Sequence, residues 1–142
     1  MKTLKTLIAA VLIAFSIDAI AAMPDESSNK LSMDFAVKTY VDAISFGKIK
    51  GFADILDDDV KFTVSLGKKF LNYSKSEMID FLKESEGTRQ NCTTDYKIVD
   101  QGLSQAIVKV TMKYPDFSKV SFITFSNTSK GWKITNISSA FQ

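Results

Sequence analysis

Few side chains in this sequence are able to do chemistry, and the first observation is an absence: there is no histidine among its 142 residues. That removes Ser-His-Asp and Cys-His nucleophilic sites and imidazole-based proton transfer. The usual zinc sets go with it, since they draw on several His or Cys ligands and Cys92 is the single thiol. One cysteine forms no intrachain disulfide, and with no imidazole to activate it Cys92 reads as a plain, half-buried thiol. Asp57-Asp58-Asp59 sets three carboxylates in a row. A calcium ion wants roughly six to eight oxygens from a preformed loop, and neither a glycine turn nor a distal glutamate accompanies these three. They are expected to form a solvated helix-to-strand loop. Tyr40 remains, either as a hydrogen-bond donor to a ligand or as a core-edge aromatic whose hydroxyl reaches water. No metal, cofactor or catalytic set is expected from these residues.

The elements that must position these groups follow from periodicity. Val37, Tyr40, Val41 and Ile44 recur at helical spacing, with Ser32 or Asp34 as N-cap and Gly47 as the stop. A second, shorter helix is expected to carry Ile49, Phe52, Ala53 and Leu56 on one face and to end at the three aspartates. Val60, Phe62 and Val64 then alternate with Lys61, Thr63 and Ser65, the period of a half-buried strand. Gly67-Lys68-Lys69 turns into a brief strand at Phe70 to Tyr73. Ser74-Lys75-Ser76-Glu77 is a capping box opening a third helix with Met78, Ile79 and Leu82, which stops near Gly87. From Cys92 onward the chain reads as strands joined by short turns, at 92–100, 105–114, 119–126 and 132–141. Short turns between long strands imply an antiparallel, strongly twisted sheet. With the helices gathered in the first half and packed on one face, the class is α+β.

The N-terminus carries a different message. Lys2 and Lys5 precede the apolar run Leu7 to Ile17, and Ala19-Ile20-Ala21 supplies a small-x-small cleavage pattern. Residues 1–21 are therefore expected to be a signal peptide. The apolar run is about half the ~20 residues a membrane-spanning helix needs, and no cysteine near the cleavage region would take a lipid. An exported bacterial protein, periplasmic or secreted and free of the membrane after cleavage, is the expectation. Residues 22–30 read as a polar tether and 31–142 as one domain. Losing two lysines and one aspartate with the leader lowers the formal charge of +2 by one. So neutral a chain offers no electrostatic footprint for nucleic acid.

The order helix-helix-strand-strand-helix and four strands resembles the nuclear transport factor 2-like superfamily, the cone-shaped α+β domains of cystatin-like topology. Tyr40-Val41-Asp42-Ala43-Ile44 with Gly47, then Val60-Lys61-Phe62, is similar to its opening helices and first strand. Tyr73-Ser74-Lys75-Ser76-Glu77-Met78-Ile79 and Gly131-Trp132-Lys133-Ile134 are similar to later segments. Among its branches the exported bacterial lumazine-binding-like and SnoaL-like group is a good match.

This resemblance implies three helices packed on a strongly curved antiparallel sheet that forms a cone-shaped half-barrel. It also implies a conical apolar pocket. Tyr40, Phe62, Met112 and Phe122 are the residues expected to line that pocket, although the three strand residues among them would equally serve to fill it. The superfamily's ketosteroid isomerases use a tyrosine on the first helix, which Tyr40 matches. Their general base falls, without gaps, at Val64, and their second acid within the run Ser121 to Phe125, so two of the three parts are missing. Scytalone dehydratases depend on histidine, which this chain lacks. The leading expectation is a non-catalytic domain that binds a small apolar or aromatic ligand and dimerises through its sheet. A protein–protein module with a filled cone is the alternative. A weak SnoaL- or isomerase-like enzyme, pairing Tyr40 with Asp34, Asp95 or Asp100, is a third.

Overall fold

A computed structural model describes residues 32–142. The leader and the tether lie outside the described residues. Helix α1 spans Met33–Phe46. Ser32 is its N-cap, its hydroxyl accepting from the Phe35 N–H at 3.1 Å, which satisfies one of the donors a helix start leaves open. Gly47 closes it at φ 66°, with its N–H bonded to the Ala43 carbonyl at 3.1 Å and that of Lys48 to Asp42 at 3.3 Å. That is a left-handed cap of the kind glycine adopts without strain.

The expected second helix is a single 3-10 turn, Ala53–Ile55. Its bonds run Asp54 N–H to Gly51 and Ile55 N–H to Phe52, a three-residue step that does not propagate. Phe52, Ile55 and Leu56 are buried all the same. Leu56 then starts strand β1, Leu56–Leu66, by pairing with Ile134. The three aspartates accordingly sit inside β1, at the irregular stretch between Leu56 and Lys61 where the register shifts. Two α-helices, not three, are present among the described residues.

Strand β2 is Lys69–Tyr73, and α2 is Lys75–Glu84. The capping box forms as the sequence implied: Ser74 Oγ accepts from the Glu77 N–H at 3.3 Å and Glu77 Oε2 from the Ser74 N–H at 2.7 Å. Strands β3 (Thr93–Gln101), β4 (Gln105–Lys113), β5 (Ser118–Thr128) and β6 (Gly131–Phe141) complete a curved, open sheet of order β2-β1-β6-β5-β4-β3. The sheet expected to be antiparallel throughout is mixed, because β1 and β6 run parallel. A parallel pair needs a long crossover, and here everything from β2 to β5 supplies it, a pairing that turn signals between chain neighbours do not encode.

Helix α1 packs across β6, and α2 leans on β1. Between them and the sheet lies one core, in which Val37, Phe62, Val108, Ile123, Phe125 and Ile134 are buried. The fully described helices contain no segment long and apolar enough to cross a membrane.

Candidate functional site

Side chains alternate faces along a strand, and residues opposite each other across a ladder share a face. The registers therefore sort the helix-covered face of β3 to β6 into rungs. One rung is Ile98, Val108, Ile123, Ile137, continued by Phe62 on β1. The next, toward the open end, is Tyr96, Val110, Ser121, Ser139, continued by Val64. The last is Thr94, Met112, Lys119, Phe141.

Tyr40 reaches the second rung from α1. Tyr40 is 3% exposed, its ring stands 6.2 Å from that of Phe52, and its hydroxyl lies on the side of Ser121. Ser121 in turn meets Ser139, Oγ to Oγ at 2.7 Å, both serines being buried. Burial pushes the Tyr40 phenol up to about 12, the serine offsetting a little of that. It is thus a neutral phenol beside the serine pair, and no buried side-chain polar atom is left unsatisfied among the described residues.

Of the other residues expected to line a pocket, Phe62 is buried in the core and Met112 is buried in the last rung. Phe122 does not join them. It lies between Ser121 and Ile123, so its side chain takes the face turned away from the helices, where it is 45% exposed. The run Ser121 to Phe125 has too little polar alternation to announce which residues point inward. The tie between Tyr40 and Ser121, distant in sequence, decides it.

Sequence reasoning passed over Lys119. It shares a face with Ser121, two residues on, and stands between Met112 and Phe141. Desolvation lowers its pKa, since burial penalises the ammonium form. Among the described residues its ammonium group has no hydrogen-bond or ion-pair partner. The signal was its place two residues before a serine in a strand, a weak cue before the face was known.

Aromatic and polar side chains frame this amine. Tyr114 stacks on Phe117 at 4.5 Å between centroids, and Phe117 meets Phe141 at 5.9 Å. Phe117, Phe141 and Tyr96 remain 43%, 46% and 55% exposed. The Tyr114 hydroxyl donates to Gln90 Oε1 at 3.2 Å, and its pKa is raised by desolvation and by Cys92 beside it. Ser45 and Thr94 join the end of α1 to β3 at 2.7 Å, with Cys92 Sγ 3.7 Å from the same threonine oxygen. Cys92 is thus a packed rim residue of intermediate burial.

No carboxylate stands on these rungs. Asp34, Asp95 and Asp100 are all exposed, and Asp95 occupies the opposite face from its neighbour Thr94. At the other end of the sheet is a cleft of about 340 Å³ lined by Asp54, Asp57, Asp58, Lys75, Lys130 and Lys133, among others. One ion pair crosses it, Lys75 to Asp58 at 3.2 Å, and Lys75 and Lys133 also donate to the Leu56 and Asp54 carbonyls. No group of acidic or thiol side chains fit to hold a metal is found among the described residues.

A curved six-stranded sheet with two helices on one face defines the cone-shaped α+β class. The chain belongs to the family described as "Putative lumazine-binding", whose model matches residues 30–138. Among solved structures it is similar to a nuclear transport factor 2-like protein of unknown function from Silicibacter pomeroyi, at TM-score 0.65 and 16% identity over 83% of this chain and 99% of that one. A second such protein, from Shewanella baltica, gives 0.63 at 8% identity over 82% and 94%. A structure described as a "putative ketosteroid isomerase" from Parabacteroides distasonis gives 0.55 at 11% over 77% and 86%. At these identities the likeness is one of fold. A search of curated proteins returns no match.

Proposed function

We propose that this is an exported, non-catalytic domain that holds a small aromatic or apolar molecule at the open end of its helix-covered face. The observation that carries the reading is the last rung. There, buried Met112 and exposed Phe141 flank Lys119, whose amine has no partner, and exposed Phe117 packs on Phe141, a mostly apolar wall with one polar group of the kind ligand sites use. The family's description makes a lumazine-type bicycle the first ligand to try. A non-catalytic role is supported by Val64, which stands where isomerases keep their base, and by the exposed positions of the three candidate acids. Export rests on the leader pattern of residues 1–21.

The test is a thermal-shift screen with lumazine, riboflavin, a steroid and an aromatic polyketide, followed by calorimetry. A saturable stabilisation by an aromatic member is expected. No shift with any of them would sink the reading and favour an interaction module.

Homodimerisation through the outer face of the sheet belongs to the same proposal. Exposed Phe122 lies at its middle, opposite Lys109 and Ser138. Light scattering at two concentrations would return a dimer mass if this is right and a monomer mass if it is not.

A further inference from the structure

Lys119 sharpens that reading into a ligand class. A lysine turned inward on a sheet face ordinarily finds a carboxylate or a carbonyl oxygen, because an ammonium taken from water without a partner is costly. Here the same face of β3 to β6 offers none. Thr94 is taken by Ser45, and Ser121 by Ser139. Met112 and Phe141 flank the amine's stem. The donors of the ammonium are therefore left for something the protein does not itself provide, in a setting whose other surfaces are ring faces.

We propose that the open end of this face takes a planar aromatic acid, with the rings of Phe117 and Phe141 against its plane and Lys119 Nζ donating to its carboxylate. The inference rests on the ligand-binding reading above. The lowered pKa of Lys119 agrees with it, because a carboxylate arriving beside the amine favours the charged form that burial disfavours.

A matched pair of probes separates this from the general reading: 2-naphthoate and 2-naphthamide, alike in shape and different in charge, titrated into the purified chain by calorimetry. The acid is expected to bind about tenfold or more tighter than the amide, the scale on which a hydrogen bond to a charged group contributes. Lys119→Met should bring the acid down to the amide's affinity and leave the amide unchanged, while Lys119→Arg should keep the preference. Lys119→Met removes a desolvated charge, so its melting temperature should be no lower than that of the parent. Equal affinities for acid and amide in the parent, or a preference that survives in Lys119→Met, would overturn the proposal and leave the ligand-binding reading standing. Binding of neither probe would overturn both.

Discussion

The buried phenol of Tyr40 allows a test in which the sign of the effect changes with pH. In the folded chain it ionises at about 12. In the unfolded chain it ionises near its ordinary value of about 10. The folded state thus holds the proton over a window in which the unfolded state has released it. Linkage then requires that the stability from the neutral phenol be complete below about pH 10 and be lost as pH rises toward 12. Two units of separation amount to about 1 kcal/mol lost by pH 11 and about 2 kcal/mol by pH 12.

Tyr40→Phe removes the group. At pH 7 it forfeits the hydroxyl's polar interaction with Ser121, but Ser121 keeps Ser139 as partner at 2.7 Å, so the cost should be about 1 kcal/mol. The assay is urea unfolding of both proteins at steps from pH 7 to pH 11.5, followed by tryptophan fluorescence from Trp132. The parent should lead by about 1 kcal/mol at neutrality, draw level near pH 11 and fall behind above it. Other tyrosines and lysines titrate in both proteins and cancel in the difference. A gap that stays constant across the range would refute the claim that Tyr40 is sealed in the core.

Three further perturbations probe the scaffold. A Cβ at Gly47 would meet the Ser85 carbonyl oxygen at 2.6 Å and two backbone nitrogens within 2.8 Å, at φ +66°. Gly47→Ala should therefore cost more than Gly67→Ala, which has a similar φ and open space; the latter should lose about 1 kcal/mol, and chemical denaturation of the pair measures the difference. Phe125→Ala, at 0% exposure beside Ile134, should lose about 3–5 kcal/mol by opening a cavity, and a loss under 1 would mean the core is loosely packed there. Ser74→Ala removes the Oγ half of the capping box, the bond accepted from the Glu77 N–H, and should cost about 1 kcal/mol. The Ser74 N–H, the larger cause holding Glu77 below the usual carboxylate range, is kept by alanine, so most of the difference between the two proteins should persist in acid melts.

What the sequence disclosed and what it withheld divide along sequence distance. Ser32, Gly47 and the Ser74–Glu77 box are local devices whose meaning is complete within four residues, and each acts as its residue types imply. The alternation in β4 likewise reports its own face, with Ala106, Val108, Val110 and Met112 all buried. Residues 49–56 carry a helical spacing too, yet one 3-10 turn suffices to bury Phe52 and Ile55, and the pull on Leu56 comes from β6, almost eighty positions later. The same limit applies to Phe122 and Lys119. Their faces are set by Tyr40 and by strand register, neither of which is a local property.

The distribution of polarity along the helix-covered face bears on what such a fold can do. Toward the hairpin end the rungs are apolar and closed: Ala106, Phe125 and Ile134 are almost wholly buried. At the middle, Ser121 and Ser139 satisfy one another beside the Tyr40 phenol. At the open end stands Lys119, beneath rings that remain exposed. Proton-transfer chemistry needs a group tuned toward working pH and a second to receive or return the proton. Tyr40 and Tyr114 are both moved away from neutrality, and the rungs carry no carboxylate to pair with the amine. A desolvated amine with no carboxylate beside it is suited to an acid brought in from outside. On the proposed ligand-binding reading selectivity is concentrated at Lys119, and Lys119→Met is the substitution that would separate recognition from folding.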